Sequence, residues 1–486
     1  MKRTVVLNVV GLTGSLIGQH TPRIAQFLAR GARATITPAF PGVTCTAQST
    51  YLTGVPPAVH GIPGNGWYNR ELAEVQFWKQ SNHLVEGRKL WEEMRGLDPG
   101  FTCAILFWWF NMYSTADYSI TPRPIYPADG RKIFDIYTWP YEIRPAIKKK
   151  LGEFPFATFW GPAAGIKSPE GRPDAATRWI AESAMWMERK CSPTLSLVYL
   201  PHLDYSLQRL GPKHPAIARD LQMIDAIVGE LIAYFQKRSV QVILLSEYGI
   251  TAVDTPVYIN QILRAGGWLT VKPELGWEML DCGASRAFAV ADHQIAHIYL
   301  NDPSIEKEVR KRIEGEGGVA KVLDRKQQAA LGIDTARAGD LIAVAEENAW
   351  FVYYYWLEDR LAPDFARCVD IHRKPGYDPV ELFLDPKYPR IAREIRGGPL
   401  HFSMTTWKIP TVKARILFKL LQKRRGFRML MDVIPLNAML VKGSHGCRPA
   451  NPLDHPVLIS ERAELLPQSQ IDSLDVYHVL KRHLIY

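Results

Sequence analysis

The sequence of 486 residues lacks the features that mark several specialised classes of protein. It has no apolar run of about 18 or more residues, which a membrane-spanning helix would need. Its six cysteines lie far apart without a C-x-x-C pair, so the sequence indicates neither a zinc knuckle nor a disulfide scaffold. Internal repeats and low-complexity tracts are also absent. We therefore expect an ordinary globular protein in a reducing compartment, the cytoplasm.

Charge is the second feature that narrows the class. The net charge is +10, which suits anionic ligands but does not define a mechanism. The most basic segment, residues 411–428, is an amphipathic stretch that could lie on an anionic membrane or on nucleic acid. A solvated helix face is the more ordinary interpretation, and no recognised nucleic-acid motif accompanies this segment. We predict no transmembrane segment and no specific nucleic-acid partner.

The alternation of strand-like and helix-like segments predicts the fold class. Apolar runs rich in β-branched residues at 5–10, 194–200 and 240–245 read as strands, with helical patterns at 174–190 and 216–237 between them. This order is typical of an α/β protein whose mostly parallel sheet is covered by helices on both faces.

Two less regular regions interrupt this pattern. Residues 118–175 are rich in proline, glycine and tyrosine, and residues 260–430 are an irregular mixture. We expect one domain over residues 1–486, with these two ranges as insertions or cap regions. After them the chain returns to a strand at 456–460 and a helix at 473–483.

The segment 40–65, FPGVTCTAQSTYLTGVPPAVHGIPGN, carries the strongest chemical signal. Pro41 and Gly42 predict a sharp turn, Thr44 stands where a helix can begin, and Gly54 stands where it can end. A hydroxyl at a helix N-terminus faces unpaired N–H groups and the positive end of the dipole. This position suits a nucleophile that attacks a phosphate. The alternative is that Thr44 is only a helix cap.

The motifs around Thr44 resemble the nucleotide pyrophosphatase/phosphodiesterase branch of the alkaline phosphatase superfamily. That family has F-P-x-x-T, then T-G-x-x-P, H-G-I and an asparagine, which correspond here to 40–44, 53–57, 60–62 and Asn65. Its late G-x-H-G motif and closing helix correspond to 443–446 and 474–477. The resemblance implies an alkaline-phosphatase-like fold, Thr44 as nucleophile and Asn65 as a ligand of a phosphoryl oxygen. The implied substrate is a small phosphorylated molecule.

The resemblance also implies two divalent metals, usually zinc, held by aspartates and histidines. Residue by residue, it assigns the retained ligand positions to Asp204, Glu247 and His445. Three other ligand positions are changed, to Val10, Gln208 and Tyr248. Valine has no donor atom, tyrosine is an uncommon ligand, and a glutamine oxygen suits a hard cation better than zinc. We therefore expect a modified site with a single metal or with Mg²⁺ or Mn²⁺.

Other residues could stand in for the missing ligands. The candidates, as extra ligands or polar groups of the site, are Gln208, Asp292, His293, His297, Asp370 and His372. If residues 288–300 form one strand, His293 and His297 lie on the same face of it. Asp370 and His372, two residues apart, would also share a face of an extended segment. Hydrogen-bonded histidines are the ordinary alternative for each pair. Within the polar stretch 369–383, Arg373 and Lys374 could serve an anionic substrate, or the stretch could be a plain polar loop.

Three functions remain open at this point. The first is a hydrolase of phosphodiester, pyrophosphate or phosphate-ester bonds that uses Thr44 and a modified divalent-metal site. The second is a non-catalytic family member that binds a phosphorylated ligand or a partner. The third is related chemistry on a sulfate or phosphonate. A sulfatase is disfavoured because Cys45, beside Thr44, lacks the C-x-P-x-R context.

Overall fold

The structure is a computed structural model, and it describes residues 1–129, 131–160, 168, 171–385, 412–425, 427 and 430–486. The strands are β1 Thr4–Val9, β2 Ala32–Thr37, β3 Gly66–Asn69, β4 Glu74–Phe77, β5 Cys103–Leu106, β6 Tyr118–Pro122, β7 Ile136–Trp139, β8 Leu195–Leu200, β9 Gln241–Leu245, β10 Thr251–Ala252, β11 Thr255–Val257, β12 Val271–Glu274, β13 Trp277–Leu280, β14 Ala287–Asp292, β15 Ile295–Leu300, β16 Val319–Leu323, β17 Leu341–Ala345, β18 Ala349–Phe351, β19 Gly443–Ser444, β20 Val457–Ser460 and β21 Gln470–Asp472. The helices are α1 Pro22–Ala29, α2 Thr44–Thr53, α3 Pro57–His60, α4 Leu90–Leu97, α5 Ile143–Leu151, α6 Ala157–Trp160, α7 Ala175–Cys191, α8 His202–Leu210, α9 Ile217–Gln236, α10 Ile259–Ala265, α11 Glu306–Glu314, α12 Arg325–Ala330, α13 Val412–Arg424 and α14 Asp475–Ile485.

Nine of the described strands form one large sheet in the order β21-β2-β20-β9-β1-β8-β5-β6-β7. Its centre is β1, which pairs in parallel with β8 on one side and β9 on the other. All six residues of β1 are buried, because both faces of a central parallel strand are covered. Two strands, β20 and β7, run antiparallel to their neighbours. The predicted mostly parallel sheet is confirmed.

Helices cover this sheet in two groups. In one group α9 packs against α1 and α7, and in the other α14 packs against α2 and α4. The buried face of α9 carries apolar residues at helical spacing, from Ile217 through Leu221 and Ile224 to Phe235. The α/β class with helices on both faces is confirmed.

A second, antiparallel sheet of four strands has the order β14-β15-β17-β16. The single strand predicted over 288–300 is wrong, because β14 and β15 form a hairpin in which Asp292 pairs with Ile295. His293 lies at the turn with φ 62°, a left-handed conformation that ends the strand. The hairpin therefore separates His293 from His297 and brings His293 to the end of the sheet.

The two irregular ranges contribute to both sheets. Strands β6 and β7, within 118–175, extend one edge of the large sheet, and the second sheet lies within 260–430. Their status as insertions stays a prediction. Within the basic stretch 411–428, α13 is helical, whereas residues 411, 426 and 428 lie outside the described part. None of the described helices is long and apolar enough to cross a membrane.

Candidate active site

Thr44 is the first residue of α2, which follows β2, the strand next to the edge strand β21 of the large sheet. Val43 before it is extended, and Gly54 ends the helix at φ 69°, as the sequence predicted. The turn before the helix is fixed by Gly42, whose N–H donates to the carbonyl of Gly446 at 2.9 Å. The amide N–H groups of the first helical turn have no partner within the helix. Thr44 thus holds a buried hydroxyl at a helix N-terminus.

Asn65 is tied to this helix start. Its Oδ1 accepts a hydrogen bond from the Cys45 N–H at 3.0 Å, and its Nδ2 donates to Asp292 Oδ1 at 3.0 Å. The backbone N–H of Asn65 also donates to Asp292, at Oδ2 and 2.8 Å. Burial raises the pKa of Asp292, and the bonds from Asn65 oppose that rise. Asp292, a candidate ligand in the sequence, therefore serves to hold Asn65 in place.

The Tyr248 hydroxyl lies between Thr44 and Asp204. It is 3.2 Å from Thr44 Oγ1 and 3.2 Å from Asp204 Oδ1, to which it donates. The other oxygen of Asp204 accepts from Gln208 Nε2 at 2.8 Å, one turn further along α8. A phenol has one proton, so when Tyr248 donates to Asp204 it accepts the proton of Thr44. The three groups form a directed chain from Thr44 to Asp204.

Asp204 is fully enclosed, which changes its proton affinity. Burial raises its pKa to about 7, while the hydrogen bonds from Tyr248 and Gln208 act in the opposite direction. A carboxyl group with this pKa can exist in either protonation state near neutral pH. Asp204 is therefore suited to accept a proton delivered along the chain from Thr44.

Glu247 is the second buried carboxyl group of the site. Its Oε1 accepts from Asn8 Nδ2 and from Gln48 Nε2, both at 2.5 Å, and its Oε2 has no partner among the described residues. Burial raises its pKa to about 8, and the charge of Asp204 adds to this rise, whereas the two amides and the nearby Thr44 hydroxyl lower the pKa. Asn8 and Gln48 were missed by the sequence analysis. Asn8 could have been found as the polar residue within the apolar run 5–10.

Four rings in close contact, which we call the ring column, cross the site. Tyr248 and His445 stack at 3.6 Å between centroids, and so do His293 and Tyr377. Between these two pairs, the rings of His445 and His293 lie 3.8 Å apart and are tilted by 36°. The Tyr377 hydroxyl then donates to Gln208 Oε1 at 2.7 Å. Gln208 is bonded to Asp204, and Asp204 is bonded to Tyr248. The ring column, Gln208 and Asp204 therefore form a closed circuit of contacts. Tyr377 was not predicted as a site residue.

His445 has one engaged and one open ring nitrogen. Its Nδ1 lies 2.7 Å from the carbonyl oxygen of Gly42, so Nδ1 carries the proton and donates it. Its buried Nε2 has no partner among the described residues. Burial holds the pKa of His445 and of His293 well below the usual range, so both rings are neutral at neutral pH.

The ring nitrogens of His297 contact backbone groups. Its Nδ1 accepts from the N–H of Gly339 at 3.1 Å, and its Nε2 lies 3.1 Å from the carbonyl of Pro63. Burial lowers its pKa to about 4. His297 is thus a core histidine with both ring nitrogens bound to backbone, the ordinary alternative for that residue.

The polar stretch 369–383 is folded on itself. His372 lies in a turn with Nδ1 3.3 Å from the carbonyl of Phe77, and Asp370 lies 3.8 Å from Arg373, so the expected strand face is not formed. Arg373 also forms an ion pair with Asp364 at 2.8 Å. Lys374 is buried between Asp378 at 2.7 Å and Glu381 at 2.6 Å. Both cations are paired within the protein, which favours a structural loop.

Comparison with known proteins identifies the family. The family model for type I phosphodiesterase / nucleotide pyrophosphatase matches residues 4–378. The chain belongs to this family. The match spans the large sheet from β1 to β9, the Thr44 helix, the hairpin with His293, and the loop that ends at Tyr377. Membership of the alkaline phosphatase superfamily, implied by the motifs around Thr44, is confirmed.

Individual relatives are distant. An uncharacterised pyrophosphatase/phosphodiesterase of Schizosaccharomyces pombe is 23% identical over 240 residues, which cover 47% of this chain and 41% of the relative. The chain therefore matches less than half of that relative's length. Murine ectonucleotide pyrophosphatase / phosphodiesterase 5, solved as an inactive variant with AMP, is 13% identical, with a TM-score of 0.56. The superposition covers 100% of this chain and 95% of the murine chain. Phosphonoacetate hydrolase from Sinorhizobium meliloti 1021, solved with phosphonoformate, is 14% identical with a TM-score of 0.59, covering 100% and 96%.

Members of this type I phosphodiesterase / nucleotide pyrophosphatase family generally depend on divalent metals. Within the described ranges, no three histidine, cysteine, aspartate or glutamate side chains are arranged to hold a metal ion. Val10 offers no donor atom. Both oxygens of Asp204 are bonded to Tyr248 and Gln208, and Glu247 is held by two amides. The residues present do not fit the two-metal ligand set.

Proposed function

We propose that this chain is a hydrolase of phosphodiester, pyrophosphate or phosphate-ester bonds and that Thr44 is its nucleophile. One observation carries the proposal: the Thr44 hydroxyl stands at the N-terminus of α2 and is linked through the Tyr248 hydroxyl to Asp204. A helix N-terminus binds the transferring phosphoryl group, and a buried carboxylate accepts the nucleophile's proton.

The first step forms the bond between Thr44 Oγ1 and phosphorus while the bond from phosphorus to the leaving oxygen breaks. The Thr44 proton passes to Tyr248, and the Tyr248 proton passes to Asp204. Asn65 uses one amide proton on Asp292, and its other amide proton, together with N–H groups of the first turn of α2, stabilises the phosphoryl oxygens. The leaving oxygen takes its proton from water.

The second step releases the phosphate from Thr44. Water attacks phosphorus and gives up one proton to solvent, which balances the proton that the leaving oxygen took from water in the first step. The bond from phosphorus to Thr44 Oγ1 breaks. Asp204 returns its proton through Tyr248 to Thr44, which restores the starting state. No step passes through a metal, because the residues do not fit the family's metal pair.

The substrate we propose is a small phosphorylated molecule. Two relatives of the same fold were solved with AMP and with phosphonoformate, and the net charge of +10 favours an anionic ligand. The six cysteines are unpaired, which agrees with a reducing compartment. A cytoplasmic location stays a prediction.

The test is turnover of bis(p-nitrophenyl) phosphate and of p-nitrophenyl phosphate by the wild type, Thr44→Ala and Thr44→Ser. We expect turnover by the wild type, its loss in Thr44→Ala and partial retention in Thr44→Ser, since serine keeps a hydroxyl at the same place. Equal turnover by Thr44→Ala and the wild type would show that Thr44 is not the nucleophile. The preferred ester then gives the substrate class.

A second function, binding of a phosphorylated ligand without catalysis, is favoured by one specific observation. The Tyr248 hydroxyl, which the proposed reaction uses as a relay, also satisfies Thr44 as a static partner. On this alternative, isothermal calorimetry detects AMP binding to the wild type, while none of the p-nitrophenyl esters is turned over. Thr44→Ala then changes the affinity only slightly.

A further inference from the structure

The Tyr248 hydroxyl lies where a metal ion shared by Thr44 and Asp204 would have to bind. A cation that joins Thr44 and Asp204 needs both oxygens within about 2.0–2.6 Å of itself. Here the Tyr248 hydroxyl stands between those oxygens, at 3.2 Å from each. The phenolic proton and a metal ion would compete for the same Asp204 oxygen. Tyr248 therefore takes the place of a bridging cation.

The ring column keeps Tyr248 from moving aside. Its ring stacks on His445 with only 6° between the planes, and His445 is followed by His293 and Tyr377. Rotating Tyr248 out of this place breaks its two hydrogen bonds and its stack on His445. Every ring of the column is nearly fully buried, so no solvent replaces the lost contacts.

The donors that remain are too few for a metal. Zinc sites in proteins use about three or four protein ligands. Among the buried atoms of the site, His445 Nε2, Glu247 Oε2 and Asn8 Oδ1 have no partner in the described residues, whereas both oxygens of Asp204 are bonded. Only the first two belong to the ligand types that zinc uses, because Asn8 offers a neutral amide oxygen. Val10, at the end of β1, is fully buried and adds no donor.

We infer that this site has exchanged the family's metal pair for the hydrogen-bonded circuit of Asp204, Gln208 and the ring column, and that it holds no resident divalent metal. The inference concerns the same site as the proposed function. Only its consequences for turnover rest on the proposed function, because the circuit stabilises the folded site whether or not the protein is an enzyme.

The experiment measures metal content by mass spectrometry in the purified wild type, before and after incubation with zinc. The matched variant carries Val10→Asp, Gln208→His, Glu247→Asp and Tyr248→His, which restores the family's ligands. We expect far less than one metal per chain in the wild type and bound zinc in the variant, with a thermal midpoint that rises on addition of zinc. Tyr248→Phe is the control, because it keeps the ring and adds no ligand.

Stoichiometric metal in the wild type would overturn the inference. So would a thermal midpoint that EDTA lowers and zinc restores, or turnover that EDTA abolishes and zinc restores. If the four-residue variant does not fold, the single change Tyr248→His is compared with Tyr248→Phe in the same zinc titration. The outcome is separable from the proposed function. A metal-free wild type without turnover supports the circuit and rejects the hydrolase, whereas a metal-loaded, active wild type does the reverse.

Discussion

The rings of Tyr248 and His445 lie parallel, with centroids 3.6 Å apart and 6° between their planes. Both residues stand at positions where the family resemblance leads one to expect metal ligands. In this chain the first supplies a hydroxyl to Thr44 and Asp204, and the second supports its ring. Tyr248 thus combines two roles, stacking and hydrogen bonding, which single substitutions can separate.

Tyr248→Phe keeps the stack on His445 and removes the hydroxyl that joins Thr44 to Asp204. We expect kcat to fall by roughly 10²–10⁴, the usual size of a general-base contribution, and the free energy of unfolding to fall by only about 1 kcal/mol. Steady-state kinetics and urea unfolding check both values. Tyr377→Phe is the control, since it loses a hydroxyl on Gln208 without touching Thr44. Wild-type kcat in Tyr248→Phe would exclude the relay.

Asn65→Ala removes the amide that links the start of α2 to Asp292. We expect kcat to fall by roughly 10²–10³, because a donor to the phosphoryl oxygen is lost, with a smaller change in KM. The control is Asn82→Ala, which removes a buried bond from Asn82 Nδ2 to the carbonyl of Phe110 at 2.8 Å. That change lowers stability without touching Thr44. If both variants lower kcat equally, Asn65 has only a structural role.

The dependence of kcat on pH follows from the raised pKa of Asp204. The relay requires an ionised Asp204, so kcat is low when the carboxyl is protonated and rises with pH through about 7. A profile recorded from about pH 5 to about pH 9 checks this limb. The Asp204→Asn variant, which cannot accept the proton, is expected to be nearly inactive across the range. A flat wild-type profile would contradict the assignment of Asp204 as the acceptor.

Much of this site follows from local sequence, and the remainder depends on distant contacts. The helix start at Thr44, its end at Gly54 and the place of Asn65 follow from short motifs, because turn and cap residues act on their neighbours. The contact of Tyr377 with Gln208 joins residues 169 apart, and no periodicity reveals it. His293 was placed on a strand because alternation alone does not show a left-handed turn at a residue other than glycine.

Glu247→Gln tests the second buried carboxyl through stability. Burial raises the pKa of Glu247 from 4.5 to about 8, so the folded state binds this proton more tightly than the unfolded chain does. The stabilisation from the proton is complete below about pH 4.5 and is lost as pH rises through about 8, by up to about 1.4 kcal/mol per pH unit. Glutamine is neutral at every pH and still accepts from Asn8 and Gln48.

The measurement is urea unfolding of the wild type and of Glu247→Gln at a series of pH values. We expect the free energy of unfolding to decline toward alkaline pH more steeply in the wild type than in the variant. Parallel curves for the two proteins would show that Glu247 is already ionised in the folded state at neutral pH.

The stereochemical course at phosphorus tests the nucleophile most directly. A chiral phosphorothioate diester is hydrolysed by the wild type in ¹⁸O-labelled water, and the configuration of the product is determined. Attack by Thr44 followed by attack of water makes two in-line displacements, so the account predicts net retention of configuration. Net inversion would mean that water attacks the substrate in a single step, and Thr44 would then not be the nucleophile.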